Sequence, residues 1–148
     1  MPLYFAYGSN MNHSQMGERC GKGWRFLKRA YLSGYKLVFD GYSKKWKGAV
    51  ANVVKSKGET VWGGLFEVTK ECIRELDKRE GHPKHYKRKK RRVFDDDGNC
   101  YTAYVYLREP QRQGKPSQKY LEALLQGAKD CGLPREYVER LCQYENLG

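Results

Sequence analysis

The order of strand-like and helix-like segments constrains the fold of this chain most. Segments rich in β-branched and aromatic residues come first, at 3–7, 35–39, 49–54 and 60–68. The clearest amphipathic helix opens only after Ser117, where apolar residues recur with a period of about 3.6 residues. Strands that cluster ahead of the main helices are typical of the α+β class, which we therefore predict.

The remaining segments carry capping, turn or helix signals. They predict a helix over 12–19, a helix over 70–79 capped by Thr69, a hairpin of 86–94 and 100–107, and a last helix after Pro134. The sequence has no internal repeat and no low-complexity tract. We therefore expect a single domain over residues 1–148.

Length and composition favour a folded protein without a membrane segment. The 148 residues are enough for one domain with its own core, and 39% of them are hydrophobic. No apolar run approaches the roughly 20 residues that a membrane helix needs, and nothing after Met1 resembles a signal peptide. These features predict a cytoplasmic protein.

The cysteines and histidines do not form a metal-binding pattern. The five cysteines are widely spaced and include no CxxC pair, which predicts reduced thiols rather than a zinc or redox motif. His82 and His85 lie three residues apart, but the intervening Pro83 disfavours a helical pair of ligands. We predict no metal and no cofactor.

Positive charge is strong and uneven. The net charge is +12, and residues 84–92 include seven lysines or arginines. In an extended strand, neither face of this basic tract would be apolar, which is typical of a protected edge strand. The alternatives are recognition of an anionic part of a substrate, or a nucleic-acid surface, although no named nucleic-acid motif is present.

Two local features point to chemistry. Tyr7-Gly8-Ser9-Asn10 follows the first predicted strand, and a tight turn that leads into a helix exposes backbone N–H groups able to hold a carboxylate or an oxyanion. Glu80 ends a predicted helix just before Gly81, where burial could raise its pKa and make it a general base. The alternatives are an ordinary capped turn and a solvated surface carboxylate.

Several segments together resemble the γ-glutamylcyclotransferase-like enzymes. The similarity lies in YFAYGSNM at 4–11, in LDKREG at 76–81 with Tyr86 and Arg88 after it, in PSQKY at 116–120, and in GAKDCGLP at 127–134. The order and separation of these motifs make the resemblance specific, and it extends over nearly the whole chain.

The resemblance implies a small mixed or antiparallel barrel-like sheet flanked by helices. It also implies lyase-type release of 5-oxoproline and a free amine from a small γ-glutamyl substrate, within glutathione metabolism. Glu80 would be the catalytic base. The substrate-binding residues would be Tyr7, Gly8, Ser9, Asn10, Met11, Tyr86 and Tyr120.

The resemblance leaves the identity of the leaving amine and the choice between monomer and homodimer open. We expect a cation of the basic tract to bind a carboxylate on the leaving group at the rim of the pocket. The candidates are Lys84, Lys87 and Arg88, of which Arg88 could bind in a bidentate manner. The alternative function is a basic module that binds nucleic acid or another anion and retains the fold without catalysis.

Overall fold

A computed structural model describes residues 1–145 and the backbone of residue 146. The strands are β1 Leu3–Ala6, β2 Trp24–Ser43, β3 Gly48–Val68, β4 Lys87–Phe94 and β5 Cys100–Leu107. The α-helices are α1 His13–Cys20, α2 Lys70–Glu80, α3 Gln118–Asp130 and α4 Arg135–Cys142. Short 3-10 helices span Ser9–Met11 and Gln143–Asn146. No helix in this part of the chain is long and apolar enough to cross a membrane. Residues 147 and 148 of the predicted domain lie outside the described residues.

The five strands form one closed barrel in the order β1-β3-β2-β4-β5. Strands β1 and β5 pair in parallel, with Tyr4 opposite Tyr104, whereas the other neighbours are antiparallel. The helices pack around this barrel, so the predicted α+β class and the mixed barrel-like sheet are confirmed.

Strands β2 and β3 form one long hairpin that the sequence pattern predicts only in pieces. The pattern shows separate strands because glycines interrupt it, but Gly34, Gly41 and Gly58 lie within the hairpin with positive φ angles. The pairing shifts register between Ser33 and Tyr35, and again between Asp40 and Ser43. Glycines at these positions therefore mark bulges rather than strand ends.

Helix α3 lies directly against the 3-10 turn that follows β1. At Gly127, an added Cβ would come within 2.5 Å of the Asn12 nitrogen and 2.7 Å of the Met11 carbonyl carbon. Only glycine permits this approach. The opposite end of the same helix carries Tyr120, which is buried. Close packing of α3 thus brings Tyr120 near the end of β1.

One cysteine pair differs from the prediction. Cys20 at the end of α1 and Cys72 at the start of α2 form a disulfide, so the expectation that all five cysteines are reduced thiols is wrong for this pair. The two residues are 52 positions apart, and only the packing of α1 beside α2 brings them together. Cys100, Cys131 and Cys142 are free.

Candidate active site

A cavity of about 630 Å³ opens at the end of β1. Its walls come from the turn after β1, the end of α1, the β2–β3 turn, the end of α2, the segment after β5, and α3. Seven of the eight residues expected to form the site line it: Tyr7, Gly8, Ser9, Asn10, Glu80, Tyr86 and Tyr120. The fold therefore brings residues from distant parts of the chain to one cavity.

The turn after β1 is a single 3-10 turn. The Met11 N–H donates to the Gly8 carbonyl at 3.1 Å, and the Asn12 N–H donates to the Ser9 carbonyl at 3.0 Å. These two bonds leave the N–H groups of Ser9 and Asn10 without a partner inside the turn, as is usual at a helix start. The turn can therefore present backbone donors, as the sequence suggests.

Met11 is the one expected site residue that does not line the cavity. Its side chain is fully buried in the core. Its backbone N–H is already used by the Gly8 carbonyl. Because the chain turns into α1 at this point, Met11 supports the turn from behind, and its expected role in substrate binding is corrected.

Asn10 joins the turn to Glu80. Its side-chain nitrogen donates to Glu80 Oε1 at 3.2 Å and to the Tyr4 hydroxyl at 2.8 Å. Its side-chain oxygen accepts from Arg19 at 2.6 Å and from Gln15 at 2.9 Å. With all these bonds made, the Asn10 amide has one orientation and holds the Glu80 carboxylate beside the turn.

Glu80 is the last residue of α2, and local sequence signals place it there. The Thr69 side chain caps the start of the helix, and Gly81 ends it in the left-handed conformation with φ 69°. Burial raises the pKa of Glu80, although Arg19, Arg108 and the hydrogen bond from Asn10 oppose that rise. A carboxyl group with a raised pKa in a cavity is suited to accepting a proton.

Tyr86 and Tyr120 meet at one residue of β3. The Tyr86 hydroxyl donates to the Ala51 carbonyl at 2.7 Å, whereas the Tyr120 hydroxyl accepts from the Ala51 N–H at 3.0 Å. Burial raises the pKa of Tyr120 to about 12, so its phenol stays protonated at neutral pH. Within residues 1–146 no acceptor is found for that proton, which leaves it available to a substrate.

Gly8 is required by its neighbours. A Cβ at this position would lie 3.1 Å from the Tyr120 hydroxyl and 3.2 Å from the Ala51 Cβ. Tyr7 is fixed nearby, because its hydroxyl donates to the Tyr106 carbonyl at 2.6 Å. The turn and the tyrosines are thus packed without room for another side-chain atom.

Arg88 does not lie at the rim of the cavity. Its guanidinium pairs with Asp77 at 2.9 Å and stacks on the Tyr104 ring, 4.6 Å from the ring centre. Asp77 also accepts a hydrogen bond from the Tyr106 hydroxyl at 2.8 Å. The expectation that Arg88 grips a leaving group is therefore wrong. Arg88 instead links α2 to β5, because it pairs with Asp77 and stacks on Tyr104.

The cavity contains further residues that the sequence pattern does not single out. They include Tyr4, Arg19, Lys44, Lys45, Trp46 and Arg108. Tyr4 belongs to the same motif as the turn, and alternation along β1 would have indicated it. The others lie on α1, in the β2–β3 turn and after β5, where no local signal shows that they converge.

Comparison with known proteins agrees with this geometry. A model of the AIG2-like family matches residues 60–141. The γ-glutamylcyclotransferase of Mus musculus is 34% identical over 144 residues, which cover 94% of this chain and 76% of the relative. The Homo sapiens enzyme of the same name is 33% identical with the same coverage.

Similarity in three dimensions is equally extensive. A solved structure of a γ-glutamyl cyclotransferase superimposes with a TM-score of 0.89 at 32% identity. The match covers 95% of this chain and 85% of that structure. The family model spans more than half of the chain, and relatives above 30% identity match nearly all of it. The chain therefore belongs to the AIG2-like family of γ-glutamylcyclotransferases.

Proposed function

We propose that this protein is a γ-glutamylcyclotransferase with Glu80 as its catalytic base. The α-amino nitrogen of the γ-glutamyl group attacks the γ-carbonyl carbon, and a C–N bond of the five-membered ring forms. The original amide C–N bond then breaks. The products are 5-oxoproline and a free amine. The attacking nitrogen loses two protons on going from ammonium to ring amide, and both end on the leaving amine, which departs as its ammonium form.

The observation that carries this proposal is the hydrogen bond between Asn10 and Glu80. It sets the carboxylate against the turn of residues 7–10 inside one cavity. An ammonium group cannot attack a carbonyl, so a base must first remove a proton from it. The raised pKa of Glu80 brings the carboxylate closer in proton affinity to that ammonium than a solvated glutamate would be.

The negative charge that develops on the carbonyl oxygen needs a hydrogen-bond donor. The Tyr120 hydroxyl is our candidate, since no acceptor for its proton is found within residues 1–145. The Asn10 N–H, which is not used within the turn, is our candidate for holding the α-carboxylate of the γ-glutamyl group. The hydroxyl groups of Tyr7 and Tyr86 already donate to backbone carbonyls, so these two residues form part of the cavity wall instead. Ring closure is intramolecular, so a folded substrate conformation supplies much of the rate.

The nucleophile belongs to the substrate, so the reaction as proposed uses no cofactor. Family membership is also our basis for proposing a cytoplasmic enzyme of glutathione metabolism. The alternative, a basic binding module without catalysis, rests on the exposed lysines of β4. The Asn10–Glu80 arrangement favours the enzyme, because an anion-binding surface would not need a half-buried carboxylate.

The proposal is tested by incubating the protein with γ-glutamyl amino acids and γ-glutamyl amines and measuring 5-oxoproline. Glu80→Gln keeps the shape of the side chain but removes the base, and it should lower kcat by about a hundredfold or more. Glu71→Gln, at the exposed start of the same helix, is the matched control and should retain activity. Near-normal turnover by a folded Glu80→Gln variant would refute the role of Glu80.

A further inference from the structure

The cavity is far more positive than its chemistry requires. Glu80 is the one carboxylate among its lining residues, whereas six lining side chains are cationic: Arg19, Lys44, Lys45, Lys78, Arg79 and Arg108. A substrate whose only carboxylate lies next to its reacting amino group would leave most of these cations without an anionic partner. The excess therefore needs an explanation.

Three of the six cations lie beside carboxylates of the protein itself. Arg108 forms a buried ion pair with Asp40, and Glu75 lies within ion-pair distance of both Lys78 and Arg79. These two carboxylates offset two of the three charges, so this group contributes only a small net field to the cavity. Most of the positive excess comes from the other three cations.

Arg19, Lys44 and Lys45 have no such partner. Within residues 1–146 no carboxylate forms an ion pair with any of them. Arg19 donates instead to the neutral side chain of Asn10, and Lys45 lies over the ring of Trp46, 5.1 Å from its centre. We call Arg19, Lys44 and Lys45 the unpaired cluster.

Within this cluster, Arg19 and Lys45 repel one another. Burial lowers the pKa of Lys45, and the nearby charges of Arg19, Arg79 and Lys119 lower it further, with Glu18 acting in the opposite direction. Like charges brought together at the mouth of a cavity raise the free energy of the empty protein. An anion bound among them would remove that cost.

We infer that the leaving amine of the preferred substrate carries two negative charges, as in a γ-glutamyl derivative of an acidic amino acid, and that Lys45 selects it. The inference rests on the proposed function. Donors of the turn hold the α-carboxylate of the γ-glutamyl group. The leaving amino acid then presents its own α-carboxylate and its side-chain carboxylate to the unpaired cluster. A neutral leaving amino acid would supply only the first of these two charges.

Two matched substrate pairs test the inference. In γ-glutamyl-glutamate and γ-glutamyl-glutamine, and in γ-glutamyl-aspartate and γ-glutamyl-asparagine, the leaving groups differ by one charge and hardly in shape. We expect kcat/KM about tenfold higher for the acidic member of each pair, which corresponds to about 1.4 kcal/mol. The difference should lie mainly in KM, since the charge is remote from the bond that breaks, and it should shrink as salt is added.

Variants identify the residue responsible. Lys45→Gln should bring the acidic-to-amide ratio of kcat/KM close to one. Lys57→Gln removes the same charge from an exposed position of β3 outside the cavity, and it should leave the ratio unchanged. If the unaltered protein has the same kcat/KM for both members of each pair, the inference is overturned but the proposed function is not. If none of the four peptides is converted but another γ-glutamyl compound is, the inference alone fails. If no γ-glutamyl amino acid or amine releases 5-oxoproline, the proposed function fails as well.

Discussion

Two regions of this molecule concentrate positive charge, strand β4 and the unpaired cluster at the cavity. In β4 the charges are consecutive in sequence and visible at once, with six lysines and arginines in Lys87–Phe94. The unpaired cluster draws Arg19 from α1 and two lysines from the β2–β3 turn, and no window of the sequence contains it. The charge of β4 can be read from the sequence, whereas the unpaired cluster forms only when the chain folds.

The two regions also differ in which groups their charges reach, although Lys44 and Lys45 are exposed like most cations of β4. Most side chains of β4 are exposed, and its two partly buried arginines are occupied by Asp77 and by the Tyr35 hydroxyl. In the cavity, by contrast, Arg19 contributes directly to the pKa of Glu80. Charges in solvent are screened, whereas charges that share a cavity act on the same group. Density of charge along a sequence is therefore a poor guide to where charge acts.

The comparison predicts that the cavity is much less tolerant of change than β4, and Gly8 is one of its tightly packed positions. In Gly8→Ala the new methyl group would press on the Tyr120 hydroxyl and on Ala51. We expect kcat/KM to fall about tenfold to a hundredfold, because displacement of the order of 1 Å disturbs the reacting geometry. Steady-state kinetics would measure this loss, and the thermal midpoint would show that folding is retained. Gly17→Ala, in α1 outside the cavity, is the control for loss of a glycine without positive φ, because its added Cβ would come no closer than 4.0 Å to Trp24 Nε1.

A smaller effect is expected when the charge of Arg19 is removed. Arg19 lowers the pKa of Glu80, so Arg19→Met should raise it further. The base must be ionised to act, so the acidic limb of the profile of kcat/KM against pH should move to higher pH. The loss on the acidic side should be up to about tenfold. Arg19→Lys restores the charge and should return the limb toward its original position, whereas an unshifted limb in Arg19→Met would contradict this coupling.

The smallest effect is expected from β4. Replacement of the exposed Lys87, Lys89, Lys90 and Arg92 by glutamine removes four charges but touches no residue of the cavity. We expect kcat/KM for γ-glutamyl substrates to change by no more than about twofold, since solvent and salt screen these charges. A tenfold fall would show that β4 takes part in the reaction. Binding of the unaltered protein to RNA at low salt, lost in this variant, would instead support the alternative function.

Signals carried by neighbouring residues are readable from the sequence. The Thr69 cap and Gly81 define α2 and so place Glu80 at its end. Asp97-Gly98 predicts the turn of the β4–β5 hairpin, where Gly98 has a φ of 82°. Capping and turn preferences depend on a few consecutive residues, so they can be recognised without knowledge of the fold. The family motifs likewise indicate seven of the residues that line the cavity.

Features that depend on contacts between distant segments are determined only by the tertiary structure. Pairing of β2 with β3 along one long hairpin places Gly34 and Gly41 at bulges rather than at strand ends. Packing of α1 against α2 joins Cys20 to Cys72, and the position of Asp77 takes Arg88 away from the cavity. Local preferences fix where elements begin and end, but pairings between residues far apart in the chain depend on how the barrel closes. The sequence by itself predicts where the proposed base and the turn lie along the chain, and the tertiary structure decides which cations face them.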